Sequence, residues 1–367
     1  MKTRDHDTLL RIRQACGAGL PSRTLLPLVI RELRQAIPSA CGQFTWADET
    51  GALANYWCDH FLPRRTAWII LHRRQYEADC GTSFADLVRF GRTSGNLRAW
   101  WARGFEHSDT FRAVFKPYGF KWLLDGVVRD AMRPWGCLVL IRAAAQPDFS
   151  ADEEDLLARS LPYLAHAMRA EAVQPRRFVR TGRSALLVCS AEGEVLEWSA
   201  EAHRLVVWAL EDRINTDTAV SDGDFHEMRC RLGAIVRQCR RELDRVDAGA
   251  PLPEVVLRNG WGEFILRAYR LQCARGAQER IGVLIEHCVP FEARLLEQVN
   301  TLQLTARQKE VVLLTGRGLA NAQIAAAMRI TALTLKDYLK DIYARLGVCS
   351  REELLARLGC SGVDAAA

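Results

Sequence analysis

The sequence predicts an α+β protein, with antiparallel sheets in its first two-thirds and a small all-α domain near its end. Apolar runs separated by turn residues, as in "CGQFTWADETGALANYWCD" and "EVVLRNGWGEFILRAYRL", are typical of antiparallel hairpins. The stretch 304–358 instead carries repeated helix-start signals and apolar residues at helical spacing. A chain of 367 residues is too long for one ordinary core, so we expect two or three domains.

Composition excludes several classes of protein. A hydrophobic fraction of 49% and a charged fraction of 26% are typical of folded globular chains. The formal net charge of +6 is compatible with a nucleic-acid partner. No apolar run has signal-peptide or membrane-spanning length, so we expect a cytoplasmic protein that makes no contact with a membrane. The twelve cysteines show neither CxxC nor zinc-finger spacing, so we predict reduced thiols, no metal and no cofactor.

The first module is predicted to span residues 1–172. Apolar residues at helical spacing in "LLPLVIRELRQAI" predict a helix over residues 8–37 that ends before Pro38. The hairpin of "CGQFTWADETGALANYWCD" follows, and "GVVRDAMRPWGCLVLIRA" predicts a second one. Ser150 and Glu153 form a capping box that begins a long, acid-started helix.

A polar and basic linker, 173–182, separates this module from a second one at 183–290. We predict two strands around a turn at Glu192–Gly193, two helices, and then three antiparallel strands with turns at Asn259–Gly260 and Arg275–Gly276. A connecting helix at 291–303 follows. Its apolar residues share one face: Phe291, Leu295, Val299 and Leu302.

The stretch 304–358 predicts four short helices, followed by a flexible tail at 359–367. Thr305 with Gln308, and Ser350 with Glu353, are capping boxes, and Thr331 occupies an N-cap position. Gly318 and Gly347 stand where helices end in a left-handed residue.

Two of these helices, 321–328 and 332–346, are separated by only three residues, which is the spacing of a helix-turn-helix. Their shared core is predicted from apolar spacing: Ile324, Met328, Ile330, Leu335, Ile342 and Leu346. Lys336 and Lys340 then share a different face of the second helix, with Tyr343 next along it. Such a helix is suited to the major groove of DNA, where lysine reaches phosphates or guanine acceptors.

This unit resembles the LuxR-type (FixJ/NarL-type) helix-turn-helix of bacterial transcription regulators. The resemblance lies in "LTARQKEVV", "GLANAQIAAAM", "TLKDYLKDIYARLGV" and "SREELL". It implies that the DNA-contacting positions are Asn321, Thr334, Lys336, Asp337, Tyr338 and Lys340. It also implies that the last helix pairs two subunits, through Leu354, Leu355 and Leu358. The chain departs from the family pattern at Arg329, where glycine is usual, and at Leu333, where a polar residue is common.

The patterning of 1–172 resembles a GAF domain and that of 183–290 a PAS domain, so both are predicted to be sensor modules. The first module is rich in aromatic residues that could form a pocket for an apolar or planar effector. Six of them are the candidate ligand-binding residues: Trp46, Tyr56, Trp57, Trp68, Trp100 and Trp101. The alternative interpretation is packing in the core or in a dimer interface.

The predicted function is that of a bacterial transcription regulator. It would read a pseudo-palindromic operator as a homodimer, under the control of an unknown signal at the front modules. Its predicted partner is double-stranded DNA, with RNA polymerase and a small-molecule effector as further candidates. Two alternatives stay open: an autoinducer-binding quorum-sensing regulator, and an interaction scaffold that uses the C-terminal helices only to dimerise. The chain lacks GxSxG, P-loop and HExxH motifs, so we do not expect an enzyme.

Overall fold

A computed structural model describes residues 3–60, 69, 72–81, 86, 94–96, 104–131, 133–170, 174–175, 177–211, 226–245, 254–272 and 279–359. Two antiparallel five-stranded sheets follow one another along the chain, and a group of short helices closes it. The α+β class with an all-α end is therefore confirmed. Within the described ranges, no helix combines the length and apolar composition that a membrane span requires.

The front sheet has the strand order β2-β1-β5-β4-β3. Its strands are β1 (Cys41–Ala47), β2 (Leu53–Cys58), β3 (Ser94–Asn96), β4 (Phe120–Arg129) and β5 (Pro134–Ala143). Its helices are α1 (Thr3–Cys16), α2 (Ser22–Ala36), α3 (Arg73–Cys80) and α4 (Ala151–Arg169), with short helical turns at Phe105–His107, Phe111–Phe115 and Lys116–Tyr118. Both hairpins predicted from the sequence, β1–β2 and β4–β5, are present.

One face of the front sheet packs on helices, and the sequence predicts most but not all of this layer. The capping box is present at the start of α4, where Glu153 Oε2 accepts a hydrogen bond from the Ser150 backbone N at 2.8 Å. A Cβ at Gly126 of β4 would lie 2.9 Å from Leu161 of α4, so glycine permits this close approach. The single helix predicted within 8–37 is wrong, because Gly19, with φ of 68°, and Pro21 separate α1 from α2.

The middle sheet repeats the same order, β7-β6-β10-β9-β8. Its strands are β6 (Phe178–Ser190), β7 (Val195–Trp198), β8 (Glu254–Asn259), β9 (Gly262–Leu271) and β10 (Arg280–Pro290), with helices α5 (Ala202–Leu210) and α6 (His226–Leu243). The turn predicted at Asn259–Gly260 joins β8 to β9, whereas Arg275–Gly276 lies outside the described residues.

Strand β6 begins inside the stretch predicted as a linker. Residues from Phe178 onward pair with the end of β10, and a bulge near His287 brings the two strands back into register. The Thr181 hydroxyl donates to the His287 carbonyl at 2.9 Å. The sequence analysis assigned these residues to a linker because they are mostly polar. In the structure the first residues of β6 are exposed or half-buried, so they need few apolar side chains.

Five helices close the described chain: α7 (Phe291–Thr301), α8 (Ala306–Gly316), α9 (Asn321–Met328), α10 (Ala332–Leu346) and α11 (Arg351–Arg357). Helix α7 is the predicted connecting helix, and it follows β10 without an intervening loop. Its apolar face is buried in this chain, at Phe291, Ala293, Leu295, Leu296 and Val299. One hydrophobic cluster runs from α1 through both sheets to α11, so the modules share buried contacts.

Candidate nucleic-acid interface

The turn between α9 and α10 places the two helices at the spacing predicted for a helix-turn-helix. Arg329 ends α9 in the left-handed conformation, with φ of 54° and ψ of 47°. It is the single non-glycine residue with positive φ in the described part of the chain. Thr331 then caps α10 through its hydroxyl, which accepts a hydrogen bond from the Thr334 backbone N at 3.1 Å. Local capping at both sides therefore makes this turn compact.

The apolar stripe of α10 is buried against the neighbouring helices. Leu335, Ile342 and Leu346 are at most 7% exposed, and Ile324 and Met328 of α9 at most 5%. These are the core residues that helical spacing predicts, while Ile330 of the turn is half-buried. Burial of one stripe fixes which side of α10 faces solvent.

The solvent-facing side of α10 carries both lysines. Lys336, Asp337 and Lys340 are exposed, whereas Thr334 and Tyr338 are half-buried. Across the described residues, neither lysine takes part in a hydrogen bond or an ion pair within the chain. Both amines are therefore available to a partner that carries negative charge.

Three further features lie at the amino ends of α9 and α10. Asn321, at the first position of α9, is exposed, and so is Leu333, with 70% of its surface accessible. The first-turn amides of α10 carry the positive end of the helix dipole; the amide of Thr334 donates to the Thr331 hydroxyl and that of Leu335 to the Thr331 carbonyl. This end of α10 is suited to a phosphate.

Charge is concentrated in this part of the chain. Residues 304–358 contain nine lysines and arginines and five acids, which gives a net charge of +4 out of +6 for the whole chain. The chain has only six lysines, and two of them are Lys336 and Lys340. Asp337 and Asp341 each follow one of these lysines in the sequence. The positive charge of the exposed side of α10 therefore lies at Lys336 and Lys340 and does not extend over the whole surface.

The same residues match a known family. Residues 302–358 fit the family described as "Bacterial regulatory proteins, luxR family". These residues form a LuxR-type helix-turn-helix domain. The resemblance drawn from the sequence is therefore confirmed for this domain, and we call residues 302–358 the LuxR-type domain.

Two curated relatives carry names of the same kind. The chain is 30% identical over 125 residues to the "HTH-type transcriptional regulator MalT" of Serratia proteamaculans (strain 568), covering 33% of this chain and 13% of that protein. It is 37% identical over 67 residues to the "Probable HTH-type transcriptional regulator GfsR" of Streptomyces halstedii, covering 18% of this chain and 28% of that protein. The matched segments thus span under a third of either relative.

Among solved structures, the chain is similar to the Vibrio cholerae VqmA dimer, described as a LuxR-type receptor. The sequence identity is 19%, the TM-score is 0.17, and the match covers 50% of this chain and 85% of VqmA. A match to the Escherichia coli DhaR(N)–DhaL complex has 10% identity and a TM-score of 0.24, over 78% of this chain and 90% of that one. TM-scores this low do not establish a shared fold for the front modules.

The last helix of the LuxR-type domain is tied to the domain itself. Leu354 and Leu358 are 0% and 2% exposed in the single chain, and Leu355 is half-buried. The guanidinium of Arg351 donates to the carbonyls of Thr315 and Leu319, and that of Arg357 to the carbonyl of Leu346. Leu354 and Leu358 thus stabilise this domain from inside, which leaves them little surface for the subunit pairing that the resemblance implied.

Helix α8 attaches the LuxR-type domain to the connecting helix α7. A Cβ at Gly316 would lie 2.7 Å from a methyl carbon of Leu295, so the two helices approach closely at this point. The Lys309 ammonium donates to the Asn300 carbonyl at 2.8 Å, and burial lowers the pKa of Lys309. The domain is therefore packed on the helix that follows the middle sheet.

The predicted ligand-binding aromatics are divided by the structure. Trp46, Tyr56 and Trp57 are buried in or beside the front sheet, while Trp68, Trp100 and Trp101 lie outside the described residues. The Trp46 indole N–H donates to the Ser22 hydroxyl at 3.1 Å, and the Tyr56 hydroxyl donates to Gln43 Oε1 at 3.0 Å. These two side chains serve the packing of the front module.

Trp57 lies on the wall of a cavity, together with two tryptophans that the sequence analysis did not select. Trp208 and Trp261 belong to the middle module, and Trp261 also packs edge-on against Trp46 of the front sheet, with ring centroids 6.0 Å apart. No local pattern marks these two residues, because they are far apart in sequence: Trp208 lies within α5, and Trp261 lies in the turn between β8 and β9.

Proposed function

We propose that this chain is a bacterial transcription regulator that binds double-stranded DNA through α10. The observation that carries the proposal is the orientation of α10 within the LuxR-type domain, with its apolar stripe buried and Lys336 and Lys340 exposed. We place the protein in the cytoplasm, the compartment that holds bacterial DNA. An interaction with RNA polymerase belongs to the same proposal.

The expected mode of binding follows from size and chemistry. The major groove admits one α-helix, and its floor exposes guanine O6 and N7 as acceptors. Lys336 and Lys340 are one helical turn apart, so both amines reach the same stretch of duplex. Thr334, Tyr338 and Asn321 flank the lysines, and the amino end of α10 is suited to a backbone phosphate. Asp337 lies between the lysines and would disfavour phosphate there, which favours contact with a base edge that carries a donor.

We also propose that two copies read a pseudo-palindromic operator. A single helix-turn-helix contacts only a few base pairs, and two-fold pairing doubles the site. The apolar stripes of α4 and α7, which are candidates for pairing by spacing alone, are buried within the chain. Pairing would therefore use surface outside these two stripes.

Control by a signal would pass through the connecting helix. Strand β10 runs directly into α7, and α7 packs on α8 of the LuxR-type domain. A ligand or partner that shifts α7 relative to the middle sheet would therefore change the position of the domain, and through it the spacing of two α10 helices in a dimer.

Substitution of the two lysines tests the proposal. We expect Lys336→Ala and Lys340→Ala each to weaken binding to a duplex selected from a random pool by about fivefold or more, because each loses a direct contact worth about 1–3 kcal/mol. Fluorescence anisotropy at several salt concentrations measures the loss and the salt slope. The matched control is Lys116→Ala, which removes an exposed lysine of the front module and should leave affinity unchanged.

The same titration separates this function from a dimerisation scaffold. A DNA reader loses affinity steeply as salt rises, because each neutralised phosphate releases a counterion, and each lysine that contacts a phosphate contributes about 1 to the slope. A scaffold would show no selected duplex at all. Unchanged affinity in both lysine variants would remove α10 as the reading helix.

A further inference from the structure

A cavity of about 560 Å³ lies between the front and middle modules, within the size range of small-molecule sites. Helix α2 and strand β2 form one side of it. Strands β6 and β10, helix α5 and the first turns of α7 form the other. The two sides are joined directly, since the Thr24 hydroxyl donates to the Gly260 carbonyl and Arg31 pairs with Glu297 at 2.7 Å.

The wall of this cavity carries an excess of positive charge. Six arginines line it: Arg23, Arg31, Arg34, Arg183, Arg204 and Arg294. The carboxylates among its described lining residues are Asp59 and Glu297. His287 adds no charge at neutral pH, because burial lowers its pKa to about 4. The lining therefore favours an anion.

The two carboxylates are already held by arginines on the wall. Asp59 pairs with Arg34, and Glu297 accepts from both Arg31 and Arg294, the latter at 3.0 Å. Arg183 and Arg204 approach the same oxygen of Glu201 at 3.7 and 3.8 Å, beyond ordinary hydrogen-bond length. These two ion pairs are longer than those that Arg31 and Arg294 form with Glu297.

The wall of the cavity also carries aromatic side chains. Trp208 and Trp261 stack with ring centroids 5.8 Å apart and planes at 9°. The Arg204 guanidinium lies 5.8 Å from the Trp208 ring, and that of Arg23 lies 5.6 Å from the Trp261 ring. Indole rings and guanidinium groups are therefore neighbours on this wall.

Trp57 is the tryptophan of the front module on this wall. Its side chain is 6% exposed and lines the cavity. Its indole nitrogen is buried, with almost no surface that a ligand could touch, so Trp57 contributes its ring to the wall rather than a hydrogen-bond donor.

We infer that this cavity binds a small aromatic carboxylate, with the carboxylate toward Arg183 and Arg204 and the ring against the tryptophans. Guanidinium and carboxylate have matching planar geometry, and an indole ring offers a face for the ring of the ligand. The inference rests on the proposed function and deepens its signal control, because Val289 at the end of β10, with Ala293 and Glu297 of α7, places the junction of β10 and α7 on the same wall.

Isothermal titration of the full-length protein, without DNA, tests the site. The probes are benzoate, 4-hydroxybenzoate, indole-3-acetate and 1-naphthoate, each compared with its neutral amide. We expect at least one carboxylate to bind while its amide binds at least tenfold more weakly, since a hydrogen bond to a charged group is worth about 1.5–3 kcal/mol. Arg183→Gln should weaken that carboxylate about tenfold. Arg180→Gln, on the same strand but off the cavity wall, should not.

A second pair of variants tests the aromatic part of the wall. Trp208→Phe removes part of the ring surface beside Arg204, and should weaken the bound carboxylate by about twofold to tenfold. Trp198→Phe, at an exposed position outside the cavity, should have no effect. Absence of binding by all four carboxylates, equal binding of carboxylate and amide, or equal effects of Arg183→Gln and Arg180→Gln would overturn the inference. Because DNA is absent, such a failure is independent of whether α10 reads DNA.

Discussion

Arg329 holds a backbone conformation that favours glycine, and the compact turn of the helix-turn-helix depends on it. Its φ of 54° brings Cβ close to a carbonyl oxygen, which glycine avoids. We predict that Arg329→Gly raises the free energy of unfolding by about 0.5–1 kcal/mol, because relief of strain exceeds the added entropy of the unfolded chain. Urea unfolding followed by circular dichroism measures it. Arg329→Ala retains the strain and removes the same side chain, so an Ala variant as stable as the Gly variant would refute the prediction.

His287 makes stability depend on pH. Burial among Trp261, Phe264 and Trp208 lowers its pKa to about 4, so the folded protein keeps it neutral where the unfolded chain binds a proton. Since the unfolded state binds more protons between the two pKa values, stability is complete above about pH 6.5 and decreases as the pH falls toward 4. We predict a loss of about 1 kcal/mol from this residue between about pH 7.5 and about pH 5.5.

Thermal melts at the two pH values check this, with His287→Gln as the comparison. Glutamine can donate to the Trp261 carbonyl as His287 Nε2 does, at 3.0 Å, but it does not titrate. Burial also lowers the pKa of His203 to about 4. The effect of His203 on stability is present in both the unmodified chain and the His287→Gln variant, so it cancels in the comparison. The variant should therefore lose less stability on acidification than the unmodified chain. Equal losses would show that His287 is not the group responsible.

At the scale of elements, the contact between α7 and α8 decides how firmly the LuxR-type domain is held. A side chain at Gly316 would meet Leu295 within 3 Å. We predict that Gly316→Leu lowers the free energy of unfolding by about 1–3 kcal/mol through overpacking. Leu295→Ala added to it should recover part of the loss, because it vacates the contested volume.

The control for this contact is Ala356→Leu, an equivalent enlargement on the exposed side of α11, which should change stability by less than about 0.5 kcal/mol. The interaction energy between Gly316 and Leu295 comes from denaturant unfolding of four proteins: the unmodified chain, Gly316→Leu, Leu295→Ala and the double variant. Additive effects in the double variant would indicate that the two helices are not in contact at this point.

The C-terminal helices could be predicted closely because their signals are local. The capping residues Thr305, Thr331 and Ser350 precede helices that begin one residue later, and the predicted range 332–346 is that of α10. Spacing within one helix also predicts which side chains are buried. The family pattern usually has glycine at the position of Arg329, which is consistent with the left-handed conformation seen there. An arginine by itself does not indicate that conformation.

The front of the chain was less predictable for physical reasons. Alternation of apolar residues revealed the hairpins, but the start of β6 is polar, and Gly19 and Pro21 interrupt what helical spacing presents as one helix. Leu354 and Leu358 are buried in the core of their own domain, and the subunit contact implied for them stays a prediction. Trp57 was selected from the sequence, yet its partners in the cavity were not.

At the scale of the whole molecule, contacts between distant segments determine the geometry. Arg31 and Asn300 join α2 to α7, through Glu297 and Glu32, at separations of 266 and 268 residues. Thr24 reaches Gly260 across 236 residues. Since the cavity exists only where these segments meet, no local pattern in the chain records it. The same contacts place the cavity, the connecting helix and the LuxR-type domain in one continuous structure.

The central claim is that α10 enters the major groove of DNA with Lys336 and Lys340 toward the bases. Methylation interference on a selected duplex tests it most directly, because dimethyl sulfate modifies guanine N7 in that groove. We predict interference at two clusters of guanines about one helical turn apart, each weakened in Lys336→Ala and Lys340→Ala. Binding that tolerates methylation at every guanine N7, or interference that the two lysine substitutions leave unchanged, would contradict the account.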